Sequence, residues 1–90
     1  MRLMLVSNVR EATYVCQKSG VMPNVVKLRE GSKYEWGFDF VVAPEDKQVL
    51  KELFEFRAEY ESHKEIRDQF EKEMNVDILV YLKRMLNAKK

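Results

Sequence analysis

The sequence predicts an α+β domain, and three observations carry that reading. The run RLMLV at positions 2–6 is apolar but too brief for a helix, so it reads as a buried strand. The stretch KYEWGFDFVV at 33–42 alternates, which puts Tyr34, Trp36, Phe38, Phe40 and Val42 on one side of a strand. From Pro44 onward the apolar residues recur at helical spacing. Together these give a small antiparallel sheet (strands about 2–6, 25–29 and 34–42), helices about 9–19 and 44–61, and a helical carboxy-terminal extension.

After the first strand, Ser7 and Asn8 break the apolar run. Asn8 stands three residues before Glu11, the spacing of a capping box, in which Asn8 accepts from first-turn N–H groups and Glu11 reaches back. The helix over 9–19 then buries Val9, Ala12, Val15 and Cys16 on one side, and Gly20 supplies the left-handed residue that ends it. Val21 is placed for the hydrophobic contact that accompanies such an ending.

The two strands around EGSK can pair in either of two parities. A two-residue loop sets Leu28 opposite Glu35 and Lys27 opposite Trp36, mixing apolar with charged on both faces. An odd loop sets Leu28 opposite Trp36, Val26 opposite Phe38 and Arg29 opposite Glu35, which sorts the chemistry and is the expected register. The aromatic face then forms the core, and Lys27, Arg29, Glu35 and Asp39 line a solvated face. Tyr34 and Trp36, with Lys27 and Arg29, are candidate rim contacts near the turn.

Pro44 suits the first position of a helix, with Glu45 and Asp46 in its first turn. Val49, Leu50, Leu53, Phe54 and Tyr60 follow helical spacing, and Ile66, Phe70 and Met74 recur every four residues after a polar stretch. One helix over 44–74 would be about 46 Å long, too long for so small a domain to cover, so a break near Ser62 and His63 is expected. The final segment admits two readings. Asn75 as cap with Ile78, Leu79, Leu82 and Leu86 as stripe makes a helix, the preferred reading. VDILVYL as a buried strand at 76–82 would instead complete a ferredoxin-like β-α-β-β-α-β order. The expected organisation is an α+β core over 1–61 and an extension over 62–90 that packs on the core or on a partner chain.

A formal net charge of +1 over 90 residues argues against bulk electrostatic binding of nucleic acid. The distribution is less even: positions 45–77 hold 6 Lys/Arg against 11 Asp/Glu, while 78–90 hold 4 basic residues and no acidic one. Such blocks can pair within the chain or with a copy. One cysteine excludes an internal disulfide or a zinc pair. With no signal pattern and no apolar run near 18 residues, the expectation is a cytoplasmic protein without a membrane role.

No motif carries chemistry. The glycines are isolated, so no phosphate loop is present. His63 sits in a polar helical stretch, where a surface role outweighs a general base, and Cys16 lies on an apolar helix side, where a thiol acts as a small hydrophobe. Carboxylates are abundant over 52–73 without a pair in contrasting environments, as acid–base catalysis requires. The expectation is no enzyme, no metal and no cofactor.

Residues 1–53 resemble a small bacterial family described as putative signal-transducing proteins, with a fold akin to the PII regulators. SNVREA entering a helix, KSGV ending it, and FVVAPEDKQVLKEL opening the next carry the likeness, at Asn8, Glu11, Ala12, Gly20, Val21, Val42, Pro44 and Glu45. The resemblance implies a regulatory role and no catalytic residue, and it does not extend past Leu53.

The expected function is therefore that of a small regulatory or adaptor protein acting through protein contact. Its adhesive surface would be the stripe Ile66, Phe70, Met74, Ile78, Leu82 and Leu86, through which the chain is expected to self-associate, for example as a homodimer. The alternative, which goes with the strand reading of the final segment, is a nucleic-acid-binding protein whose four-stranded sheet offers its aromatics for stacking beside Lys27, Arg29, Lys33 and the basic tail.

Overall fold

The computed structural model of the chain describes residues 2–28, 31 and 35–89. Within them the order is β1 (Arg2–Val6), α1 (Val9–Ser19), β2 (Asn24–Lys27), β3 (Trp36–Val42), α2 (Lys47–Ser62), α3 (Lys64–Glu73) and α4 (Val76–Lys89). The α+β class stands, and residues 76–82 are helix, so the ferredoxin-like alternative with a last strand there is not realised.

β3 is the central strand, antiparallel to both β1 and β2. α1 therefore carries the chain from one edge of the sheet to the other. Its ends follow the sequence: Asn8 Oδ1 accepts from the N–H groups of Arg10 at 2.8 Å and Glu11 at 3.1 Å. Gly20 takes φ 77°, and its N–H reaches the Cys16 carbonyl at 2.8 Å. The reciprocal half of the capping box is absent, because the Glu11 side chain turns away from Asn8 and points at α2.

The hairpin takes the even register, correcting the expectation of an odd loop. Lys27 stands opposite Trp36, Val26 opposite Gly37 and Val25 opposite Phe38, and the Leu28 N–H donates to the Glu35 carbonyl at 2.8 Å. Gly37 is the physical reason. A Cβ there would lie 2.9 Å from Leu28 Cδ2 and 3.2 Å from the Val6 carbonyl oxygen, so the bare glycine makes room for the Leu28 side chain to lie across β3. Leu28 thus finds an apolar position without facing an aromatic partner.

This parity divides the sheet into two unlike faces. Met4, Val6, Phe38, Phe40 and Val42 are buried and join Ala12, Val15 and Cys16 of α1, Leu53 of α2 and Leu82 of α4 in one core. Leu5, Val26, Leu28 and Val41 project from the other side and belong to no part of that core. Helices α2, α1 and α4 form a layer, α2 against β1, α1 against β1 and β3, and α4 against β2.

Pro44 does not open α2. It sits in a turn closed by the Asp46 N–H on the Ala43 carbonyl at 2.9 Å, since the same fixed φ suits the second position of a β-turn, and the helix begins at Lys47. α2 stops where expected, with His63 extended at φ −120°. Arg67 folds back over that end, its Nη1 donating to the carbonyls of Tyr60 at 2.6 Å and Glu61 at 2.9 Å, groups a terminated helix leaves unpaired. Asn75 caps α4 through the N–H groups of Asp77 at 3.0 Å and Ile78 at 3.3 Å.

Candidate functional site

The stripe read as adhesive is divided among three environments. Leu82 is fully buried in the core and Phe70 is 4% exposed. Ile78 and Leu86 are half-buried against the core, while Ile66 and Met74 are half-buried on α3 and at the α3–α4 corner. The extension over 62–90 therefore packs on its own core. The bend at Met74 and Asn75 prevents the six side chains from forming one seam. Of the rim candidates, Trp36 is half-buried opposite an exposed Lys27, and Tyr34 and Arg29 lie outside the described residues. Phe38 and Phe40 face the helices at 0% exposure, so neither ring offers a stacking surface.

Two features replace that stripe. The first is the uncovered sheet face. Leu5 is 40% exposed, and Val26, Leu28 and Val41 are half-buried. Asp39, expected on the solvated face, pairs across the strands with Leu5 and Asn24. Its Oδ1 is out of water without a hydrogen-bond partner among the described residues, and burial raises its pKa. The sequence did hold a signal for this face. β1 and the end of β3 are near-continuously apolar, the pattern of strands covered on both sides, yet among the described residues the helices cover one.

The second is a polar and aromatic seam among α1, α2 and α3. Glu11, 9% exposed, lies with Oε1 3.6 Å from Arg57 Nε, which also donates to Glu61 at 3.1 Å. Burial first, then a hydrogen bond with Glu61, raises the Glu11 pKa to about 7, and Arg57 partly opposes that. Arg10 pairs with Glu71 across α1 and α3. Beside these ion pairs, Tyr14, Tyr60 and Phe70 form an aromatic trio. Tyr14 meets Tyr60 at a centroid distance of 5.3 Å and Phe70 edge-on at 5.1 Å. The Tyr14 hydroxyl donates to Glu59 Oε2 at 3.2 Å; burial, then that carboxylate, pushes its pKa up to about 12.

Next to the trio a cleft of about 480 Å³ opens between α1 and α3, with Tyr14, Lys18, Glu59, Glu65, Ile66 and Phe70 among its walls. Gln17 fixes its far end, donating to the Glu73 carbonyl at 3.1 Å and accepting from the Asn75 N–H at 2.9 Å. No periodicity within one element could reveal a cleft whose walls stand more than 40 positions apart.

The remaining candidates are quiet. Cys16 is 4% exposed, with Sγ 3.9 Å from Met22 Sδ, and burial raises its thiol pKa, the opposite of what a nucleophile needs. His63 is exposed at the α2–α3 break. Among the described residues no cluster of three His, Cys, Asp or Glu could hold a metal ion, and no helix is long and apolar enough to cross a membrane. No protein-family model, curated protein or solved structure matches the chain.

Proposed function

We propose that the chain is a non-enzymatic regulatory or adaptor protein that works by protein–protein contact, with the uncovered face of its sheet as the contact surface. One observation carries the reading: Leu5 and Val41, on strands whose composition suits burial on both sides, lie with Val26 and Leu28 on an apolar sheet face outside the core. Asp39 defines the occupant. Its carboxylate is an acidic group on this face, beside Leu5 and Asn24, so a cation is the complementary group on a partner. The partner is a protein surface that presents one Lys or Arg amid aliphatic or aromatic side chains.

The test is selection of peptides from a random display library on the immobilised chain, followed by binding measurements on two variants. The reading expects binders in which a Lys or Arg is flanked by apolar residues. Leu5→Glu with Val41→Glu should abolish their binding, and Asp39→Asn should weaken it about tenfold, the value of one charge-assisted contact of ~1.4 kcal/mol. Binders indifferent to both variants would refute the surface. Light scattering separates another occupant: a concentration-dependent dimer lost in the double Glu variant would mean that a second copy, not a foreign partner, covers the face.

A further inference from the structure

The cleft between α1 and α3 is distinct from the sheet face, and its chemistry points to a different kind of ligand. Its walls combine two buried rings, Tyr14 and Phe70, with the aliphatic Ile66 and the carboxylates Glu59, Glu65 and Glu73. At about 480 Å³ it lies within the range of roughly 300–1,000 Å³ typical of small-molecule sites.

Ion pairing in this region is selective. The neighbouring Glu11, Glu61 and Glu71 each meet a guanidinium, from Arg57 or Arg10. Among the described residues no Lys or Arg lies within ion-pair distance of Glu59, Glu65 or Glu73. Glu59 instead accepts from the Tyr14 hydroxyl at 3.2 Å, and Glu73 from the Gln69 side chain at 2.6 Å, neutral donors that position the carboxylates without cancelling them. Among the described residues on the cleft wall the one cation, Lys18, holds its Nζ 5.7 Å from the centre of the Tyr14 ring rather than on a carboxylate. The chain's own ammonium thus already uses an aromatic face of this cleft, as a bound cation would.

We infer that this cleft binds a linear alkyl-ammonium ion, of the polyamine type, with its charged ends on Glu59, Glu65 and Glu73 and its methylene stem along Ile66 and Phe70. A metal dication would use the carboxylates alone. Only an organic cation also uses the aromatic and aliphatic wall. Lys18 stands as an internal competitor for the same space.

The experiment titrates the full chain with spermidine, with Nα-acetyl-lysine amide and with magnesium chloride, following amide shifts of Tyr14, Gln69 and Phe70 by NMR. Saturable one-to-one binding of spermidine centred on these residues, at least tenfold tighter than magnesium, is expected. Glu65→Gln with Glu73→Gln should weaken it about tenfold, and Lys18→Ala should strengthen it severalfold. Both variants change exposed positions, and circular dichroism confirms that they fold. A lysine derivative that binds as tightly as spermidine would overturn the inference, because a single ammonium would then suffice. Shifts scattered over the acidic surface, or equal response to magnesium and spermidine, would overturn the inference.

Discussion

Replacing Glu11 with glutamine isolates the least comfortable charge in the fold. The carboxyl is 9% exposed and shares Arg57 with Glu61, so ionisation places two carboxylates on one guanidinium at the α1–α2 seam. Its folded pKa is raised from 4.5 to about 7. Between those values the folded chain holds a proton that the unfolded chain has released. Stability from this group is therefore fully present below about pH 4.5 and lost as pH rises to about 7. At ~1.4 kcal/mol per pH unit the full loss approaches ~3 kcal/mol. Glutamine keeps the volume and cannot ionise. Urea unfolding of both chains from pH 5 to 8 should show the variant gaining about 2–3 kcal/mol on the wild type, roughly 10–20 °C in melting temperature. Parallel pH profiles, or a wild type that gains on the variant as pH rises, would refute the reasoning. Glu61, held below its ordinary range first by the hydrogen bond with Glu11, acts in a separate window: its stabilisation is present above that range and lost on acidification.

Three further substitutions probe the frame. Gly37→Ala should cost about 1–3 kcal/mol in chemical denaturation, because the added Cβ would meet Leu28 Cδ2 at 2.9 Å and the Val6 carbonyl oxygen at 3.2 Å, and both must shift. Asn8→Ala should cost about 1 kcal/mol, read in the same way, by freeing the first-turn N–H groups of α1. Leu82→Ala should cost about 2–5 kcal/mol, and a chain stopped at Ser62 should lose its cooperative unfolding transition, since α4 supplies part of the single core.

Local chemistry made several features legible in the sequence. Asn8, Gly20 and Asn75 act on backbone groups a few positions away, and each does at its helix end what its type and spacing imply. The break at His63 followed from length alone. Features decided by a distant element are not legible locally. Glu11 had the spacing of a capping box, yet the approach of Arg57, 46 positions on, draws its carboxyl to α2. Like pairing with like predicts an odd hairpin loop, whereas the missing side chain at Gly37 lets Leu28 settle over β3, and the alternate residues of β2 exchange faces. The stripe from Ile66 to Leu86 was continuous in one dimension, and the bend at Met74 and Asn75 sent its parts to different places. The cleft and the aromatic trio join α1 to residues beyond position 58, a proximity that only the folded helical layer creates.

The helices cover one side of the sheet, and among the described residues the other side is open. Methyl relaxation by a soluble paramagnetic probe, measured by NMR on the dilute chain alone, tests this most directly. The methyls of Leu5, Val26 and Val41 should relax strongly with added probe, while those of Val6, Val15, Leu53 and Leu82 should hardly respond. Equal protection of the two sets in the monomer would mean that both sides of the sheet are already covered, leaving no surface of the kind proposed for a partner.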